Sequence, residues 1–422
     1  MKSWQPAVRW MGIAAAAAVI AGCTTNGEAT SVDAAGAAGS SSAADPSVDV
    51  AALDTGNYPT SPRPAFGTAT QDDILQIEGQ RMAQFIVVPF EIDPDLTNTK
   101  MPTMVITGQN NLKGVLSDRP ATVPANKALV GGFVTTASTQ SARDQSSINN
   151  MVVRYLTPAD AKAAAEQMAA AMVGPGTTRT TLPGLPDTLV LRSDEGGSPK
   201  MIAFTAHNNY VLYQWLKTPP EKQAELEPTI RKAIGLQTTL IDQFPATPTK
   251  AEAAARGIPG RSLPVIDQNH VLIYALPYTD EEMRDAKKFV PGASVRAVYG
   301  PRGIAHMSSD PVTDYSVLTK VGSTANAVER STVYRAETPE GATSIVDTFL
   351  ASNRSKGWSD VASPAGLPNA KCQTISRNGV RYFCIVQKGR YVGSVSSDRP
   401  DDAHKQISAQ YVILTKADQD AH

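Results

Sequence analysis

Metal-ligating side chains are scarce in this chain, with five histidines and three cysteines among 422 residues. No two histidines stand at ligand spacing, so no metal site is expected. Nor is there an excess of basic charge, since 39 Lys and Arg face 40 Asp and Glu. A nucleic-acid partner needs a basic face, and none is expected here. The chain has no GxSxG elbow, HExxH pair, P-loop or GxGxxG turn. With them go the commonest signatures of serine hydrolases, zinc proteases and nucleotide or dinucleotide binding, and no cofactor is expected. Beyond the first 22 residues no apolar run is long enough to span a bilayer.

What is present begins at the N-terminus. Lys2 and Arg9 form a basic start, and Trp10 to Ala21 is apolar and uncharged. That is the length of a signal-peptide core and short for a membrane span. It ends in Ile20-Ala21-Gly22-Cys23, an aliphatic residue, two small ones and a cysteine. This pattern resembles the lipobox of bacterial lipoproteins, which implies cleavage before Cys23 and acylation of that cysteine with palmitate-class chains. No twin-arginine pair precedes the apolar run, so the general secretory route is expected. Thr24 to Val50 is rich in Ala, Ser, Gly and Thr, with only Glu28, Asp33, Asp45 and Asp49 charged. So few apolar groups cannot offset the entropy of ordering, so residues 23–50 read as a flexible tether behind a signal peptide of residues 1–22.

With Cys23 set aside, Cys372 and Cys384 remain as an even pair in an exported chain, which points to a disulfide. Arg377-Asn378-Gly379 lies midway between them and fits a three-residue hairpin loop. That register sets Ser376 opposite Val380, Thr374 opposite Tyr382 and Cys372 opposite Cys384. A redox-active pair is the alternative, but no CxxC is present.

The body carries an internal repeat. Met151 to Thr157 is a β-rich run followed by Pro158-Ala159-Asp160-Ala161 and an alanine-rich helix, and Thr332 to Thr338 is followed likewise by Pro339-Glu340-Gly341-Ala342. Gly184-Leu185-Pro186-Asp187 answers Gly366-Leu367-Pro368-Asn369, and Tyr210-Val211 answers Tyr391-Val392. The offset holds at 181 or 182 throughout. Val87-Val88-Pro89-Phe90 and Ala275-Leu276-Pro277-Tyr278 form a weaker echo at 188. Thr157 and Thr338 stand at N-cap positions with Pro next. Asn208-Asn209, Asn378-Gly379 and Lys388-Gly389 mark hairpins. Closing helices are expected near 220–244 and 401–414. Val190 and Ala203 occupy the places of the two cysteines in the first copy. Strands in runs, without regular βαβ alternation, predict an α+β fold of two tandem modules, each a mostly antiparallel sheet packed with helices. The modules are set at 51–247, with an N-terminal strap, and at 260–418. An amphipathic segment from Asp72 to Phe85 and a strand reaching Phe90 follow the strap, and His270 is taken to open a strand over Val271 to Leu276.

The strap reads Leu53-Asp54-Thr55-Gly56-Asn57-Tyr58-Pro59-Thr60-Ser61-Pro62-Arg63, with Glu78-Gly79-Gln80-Arg81-Met82-Ala83 behind it. In these segments the chain resembles the two-module lipoproteins of mycolate-containing actinobacteria. The resemblance covers nearly the whole chain after the tether, implies a cell-envelope location in a Gram-positive host with a mycolate outer layer, and brings no catalytic residues. Each module is also similar in pattern to extracellular sensor-type domains of the same bacteria.

For chemistry, His306-Met307-Ser308-Ser309-Asp310 gathers a base, hydroxyls and a carboxylate. Catalytic triads, however, draw their members from distant segments, and Ser-Ser-Asp-Pro is an ordinary turn. His207 is expected in solvent at a hairpin tip, and His404 exposed in the first turns of the last helix. Asn57, Tyr58 and Arg63 on the strap, and Tyr213 and Trp215 on one face of a strand, are candidate ligand-binding residues. The alternative for the two aromatics is plain core packing. The leading expectation is a non-enzymatic, membrane-anchored lipoprotein binding a lipid, glycolipid or envelope protein. The alternatives are a hydrolase or transferase on envelope glycans or mycolates, with His306 at its centre, and an accessory that docks on another envelope protein. Cys23→Ala should abolish labelling by a fatty-acid analogue in the native host; label that persists on the variant defeats the anchor.

Overall fold

The computed structural model describes residues 48–420, apart from 72, 142–144, 259–262, 286–294 and 378. Cys23, the signal segment, nearly all of the tether and Asn378 lie outside the described residues.

Each module carries a seven-stranded sheet. The first comprises β1 (Asn98–Ile106), β2 (Leu129–Ser138), β3 (Ser147–Tyr155), β4 (Thr177–Thr180), β5 (Thr188–Glu195), β6 (Ser198–His207) and β7 (Tyr210–Lys217), in the order β1-β2-β3-β7-β6-β5-β4. The second comprises β8 (Ala297–Tyr299), β9 (Ala325–Val328), β10 (Thr332–Arg335), β11 (Ser359–Val361), β12 (Lys371–Ser376), β13 (Val380–Lys388) and β14 (Tyr391–Ser397), in the order β8-β9-β10-β14-β13-β12-β11. Every neighbouring pair is antiparallel. Strand by strand the two orders are the same. The duplication therefore extends to β1, β2, β8 and β9, which the repeat seen in the sequence did not reach.

Helices follow the same plan. α1 (Ile74–Met82) and α2 (Pro89–Ile92) precede the first sheet, α3 (Gln109–Leu116) and α4 (Asp118–Ala121) join β1 to β2, and α5 (Pro158–Met172) follows β3. α6 (Leu226–Ile241) closes the first module. α7 (Lys250–Ala255) and α8 (Asp280–Arg284) lie in the connection. α9 (Pro301–Ala305) and α10 (Pro311–Lys320) join β8 to β9, α11 (Pro339–Ser355) follows β10, and α12 (Pro400–Leu414) closes the second module. Thr157 and Thr338 cap α5 and α11 as their spacing predicts, accepting from the N–H of Asp160 and Gly341 at 3.1 Å each. The Cys372–Cys384 disulfide is formed, in the expected register. Val190 pairs with Ala203 at the matching place in the first sheet.

Two segments expected as strands are not strands. Past the amphipathic segment, which ends in the 3-10 turn Ala83–Phe85, residues 86–88 are extended outside the sheet and Phe90 lies in α2. Val271 to Leu276 runs through the 3-10 turn Leu272–Tyr274 instead of a ladder. Its cause is Asp267, whose buried carboxylate accepts from the N–H of Val271, Leu272 and Ile273 at 2.9, 2.8 and 3.0 Å. Donors captured by a nearby side chain are lost to a sheet. Both apolar runs instead lie buried between a sheet and its closing helix.

Backbone buried outside a sheet needs other partners, and one glutamine in each module supplies them. Gln237 on α6 accepts from Val87 N–H at 3.0 Å and donates to Phe85 C=O at 2.9 Å. Gln410 on α12 accepts from Leu276 N–H at 3.3 Å and donates to Tyr274 C=O at 2.9 Å. A strand residue completes each clamp. Asn150 donates to Gln237 at 2.9 Å and to Val87 C=O at 3.1 Å, and Ser331, at the same offset of 181, donates to Gln410 at 2.5 Å. Gly393 makes room for the second clamp, because a Cβ there would come within 2.5 Å of Gln410 Cγ. The echo at Val87 and Leu276 is thus a true structural repeat, although it is not a repeat of strands.

The strap, assigned to the first module by its place in the sequence, lies against the second. Leu53 enters the core beneath α12, Arg63 N–H bonds Ile273 C=O at 3.0 Å, and Ala69 N–H bonds Pro264 C=O at 2.8 Å. The modules also share a core. Met82, Phe133, Leu212 and Phe244 of the first pack in one buried cluster with Ile304, Tyr334, Phe349 and Val392 of the second. Gln84 crosses over to accept from the N–H of Arg302 and Gly303 at the start of α9, at 3.1 and 3.2 Å. Beside it, Arg302 pairs with Glu91 at 2.8 Å.

Replacing Gln237 or Gln410 by leucine strands at least one buried carbonyl, at about 1–3 kcal/mol per orphaned group. Urea unfolding should report a loss of about 2–4 kcal/mol for each variant. A loss below about 1 kcal/mol would mean that the clamps are incidental.

Candidate functional site

The residues singled out in the sequence do not assemble into one site. Tyr213 is 1% exposed and packs on Phe204 beneath α5, with ring centroids 5.0 Å apart. Trp215 is half-buried at the edge of the same core, so the pair is packing and not a groove. Asn57 is exposed in a turn. Tyr58 donates to Asp402 at 2.7 Å, and Arg63 bonds Leu272 C=O at 2.9 Å and pairs with the buried Glu329. Tyr58 and Arg63 therefore fasten the strap through these bonds.

His306 is buried where the modules meet. One ring nitrogen lies 3.0 Å from Ala83 C=O, and the ring packs on Phe133 at 5.2 Å. Burial pushes its pKa down to about 3, helped by the Arg302 charge and opposed by the Ala83 carbonyl. Ser308 donates instead to Asp314, and Asp310 accepts from Ser352, so the Ser308 hydroxyl and the suspected carboxylate are engaged elsewhere. His207 is paired with Asp242 at 2.6 Å, and His404 lies 3.0 Å from Ala362 C=O.

The more promising arrangement lies at the tip of the β6–β7 hairpin. Asn208, with φ of 50°, turns the chain there, as asparagine readily does. Behind it stands a buried ionic network. Arg154, the last charged residue of β3 and 4% exposed, donates to Thr247 C=O at 2.7 Å and to Glu252 at 2.8 Å, with Glu78 at 3.8 Å. Glu78, 2% exposed, accepts from Thr247 N–H at 3.0 Å and from its hydroxyl at 2.7 Å, and pairs with Arg81. Burial works to raise the pKa of Glu252, but bonds from Thr249 and Arg154 outweigh it and hold it below the ordinary carboxylate value. Asn209 donates to the other oxygen of Glu252 at 3.0 Å.

In front of this network opens a cleft of about 340 Å³. Arg154, the Asn208-Asn209-Tyr210 tip, Phe244 to Ala246, Glu252 and Arg256 line it. Burial raises the pKa of the Tyr210 phenol, and the neighbouring carboxylates add to the effect against Arg154. Among the described residues neither its hydroxyl nor the exposed Arg256 has a protein partner. The inner charges balance, two arginines against two glutamates, so the cleft offers donors and acceptors with little net field apart from Arg256.

The second module carries the same parts in a closed form. Arg335 and Tyr391 answer Arg154 and Tyr210, but Tyr391 is fully buried and donates to Asp418 C=O at 2.8 Å. Gln419 accepts from Arg390 N–H at 3.2 Å and covers the hairpin tip. In the first module the chain leaving α6 is drawn aside instead, with Pro245 C=O held by Arg81 at 2.8 Å and Thr247 C=O by Arg154. The signal for this site was in the sequence: Arg154 and Arg335 stand at the repeat offset of 181, each ending an apolar strand run.

A family model described as domain of unknown function DUF7373, N-terminal, matches residues 65–256, and its C-terminal companion matches residues 278–417. No curated protein matches the chain. Among solved structures, the extracellular domain of PknH from Mycobacterium tuberculosis aligns at 13% identity over 42% of this chain and 98% of its own, with a TM-score of 0.27. DynU16, from the dynemicin biosynthetic locus, aligns at 9% identity over 68% of this chain and 84% of its own, with a TM-score of 0.10. Superpositions this loose bear on neither fold nor activity. Among the described residues no helix is long and apolar enough to cross a membrane.

His306 gives a pH test. In the folded chain it stays neutral to about pH 3, whereas unfolded it takes up a proton below about 6.5. The folded state is therefore penalised progressively as pH falls below 6.5, by at most about 1.4 kcal/mol per pH unit. Asp314, raised to about 6 by burial, works the other way, since its protonation favours the fold as pH falls through 6. His306→Gln, which keeps a donor for Ala83, should lose less thermal stability than the parent between pH 7.5 and pH 5. Equal slopes by calorimetry would refute the assignment.

Proposed function

The chain belongs to the DUF7373 family, and from that premise we propose that it is an exported, lipid-anchored binding protein of the cell envelope whose first module holds a saccharide unit. The observation that carries the ligand reading is the asymmetry of the duplicated clefts. Equivalent tyrosines open the same strand, yet one is sealed by Asp418 and Gln419 while Tyr210 keeps a hydroxyl without a protein partner among the described residues. A duplicated feature closed in one copy and open in the other is where a ligand-binding difference between the copies is to be sought.

The lining favours sugar hydroxyls. Each hydroxyl both donates and accepts, and planar amide, guanidinium and carboxylate groups beside the Tyr210 and Phe244 rings meet both needs. The balanced inner charge suits a neutral ligand, and the lining offers no long apolar channel for an acyl chain. A glycolipid would thus bind by its head group. The address rests on Ile20 to Cys23 and on the composition of residues 24–50. Resemblance of the strap to lipoproteins of mycolate-containing actinobacteria supports the host and the envelope. No observation favours the hydrolase reading, since the His306 ring bonds a backbone carbonyl in a buried setting.

Glycan-array binding by the unlipidated chain tests this reading. Tyr210→Phe removes one hydroxyl and should weaken binding roughly 2- to 13-fold, in line with one lost hydrogen bond of about 0.5–1.5 kcal/mol. Arg256→Ala should weaken it comparably, while Tyr382→Phe in the second module should leave it unchanged. No glycan bound at high protein concentration, or binding indifferent to Tyr210 and Arg256, would overturn the proposal.

A further inference from the structure

The sequence holds too few histidines and cysteines to suggest a metal, but the fold brings three of them together. Cys372 on β12 and Cys384 on β13 lie on the face of the second sheet that α12 covers, and His404 comes from the second turn of that helix. Their two Sγ atoms and one imidazole nitrogen all lie within 4.8 Å of one another. We infer that these residues form a latent site for a thiolate-seeking cation of the Zn²⁺ type, closed while the disulfide stands and opened when it is reduced.

The donor set is the argument. Two thiolates and one imidazole, with water in a fourth position, make a tetrahedral set that Zn²⁺ accepts. Bond lengths of about 2.3 Å to sulfur and 2.0–2.1 Å to nitrogen place such ligands roughly 3.3–3.8 Å apart. The three atoms therefore need only modest side-chain rotation once the sulfurs are no longer bonded. His404 keeps one ring nitrogen for the role. Nε2 lies 3.0 Å from Ala362 C=O, and as the donor there it leaves the lone pair on Nδ1. A second-nitrogen bond to a carbonyl is the usual way in which a metal-bound imidazole is steered. Access comes from the cleft of about 310 Å³ that His404 lines with Asp54, Pro364, Ala365 and Lys405. The cysteines themselves are buried, so a cation bound there would be shielded from bulk water.

The chemistry balances with a dithiol as reductant. The dithiol passes two electrons and two protons to the Cys372–Cys384 bond, giving two protein thiols and one external disulfide. Binding of a divalent cation then displaces the two thiol protons. Re-oxidation by a disulfide of higher potential expels the cation and restores the bridge. The first module has Val190 and Ala203 at the matching places and, among the described residues, no such cluster.

Cobalt is the probe, because its thiolate complexes absorb by charge transfer. The unlipidated chain, reduced with a phosphine and titrated anaerobically with Co²⁺, should bind one equivalent with thiolate-to-cobalt absorption, while the oxidised chain binds none. His404→Ala should lower affinity at least 10-fold, and the double variant Cys372→Ser, Cys384→Ser should lose the band. If reduction loosens the fold, Co²⁺ or Zn²⁺ should restore the circular dichroism of the oxidised chain. A reduced, folded chain without the band, a His404→Ala variant that binds as tightly, or a loosened chain that the metal does not refold would each overturn the inference.

Discussion

Backbone amides that pass through a protein interior outside a sheet must find partners, and the architecture here turns on how two such segments are satisfied. In each module an extended stretch threads between the sheet and its closing helix, and a glutamine on that helix reads one N–H and one C=O two residues apart. Both glutamines are fully buried. The pairing resembles one rung of a β-ladder made by a side chain, and it fixes register where no strand is available to do so. Since orphaning such groups costs about 1–3 kcal/mol apiece, the clamp selects one threading over its neighbours by a margin comparable to a large part of a domain's net stability. The rest depends on that threading. Residues 83–91 emerge from the first clamp already aimed at α9, where Gln84, Glu91 and the Ala83 carbonyl meet Arg302, Gly303 and His306.

Much of this was legible in the sequence wherever a local rule governs. Thr-Pro pairs announced α5 and α11, the Arg-Asn-Gly signal midway between the cysteines predicted the register that joins Cys372 to Cys384, and a constant offset revealed the duplication. Local rules failed where a group outside the segment itself decided the outcome. The apolar run from Val271 to Leu276 reads as a strand until Asp267 takes three of its donors. The strap reads as part of the module nearest in sequence, yet its hydrogen bonds lie with the module farthest from it. Gln237 did leave a trace, because it interrupts an otherwise apolar stripe with Ile230, Ala233, Ile234 and Ile241 on α6. A lone amide on a buried helix face signals an unsatisfied backbone, but a sequence does not say whose.

Duplication also explains why the candidate site could not be found by motif. Both modules own an arginine and a tyrosine at the hairpin end of the central strands, so neither residue is distinctive. What differs is the chain leaving the closing helix. After α12, Asp418 and Gln419 fold back onto the tip. After α6, the buried pair of Glu78 and Arg154 draws Thr247 inward and a cleft remains. Glu78 and Arg154 are costly to bury, and a charged pair of this kind seldom stabilises more than an apolar one of equal volume. The arginine recurs as Arg335 in the closed copy, so what sets the open copy apart is the grip of Arg154 and Glu78 on Thr247.

The disulfide is a second way in which the copies diverge. Val190 and Ala203 occupy the equivalent cross-strand pair, so the sheet does not require a bridge at this position. Such a hairpin loop closes few residues, and constraining it reduces unfolded-state entropy by less than a long loop would. Stability alone is therefore a weak reason for both cysteines. Their place opposite α12 is more telling, because the helix that carries the Gln410 clamp also presents His404 to the two sulfurs, and Lys416 and Asp402 of the same C-terminal segment hold the strap through Thr60 and Tyr58. A change at the cysteine pair would thus act on the element to which the clamp, the strap and the plug over Tyr391 are all attached.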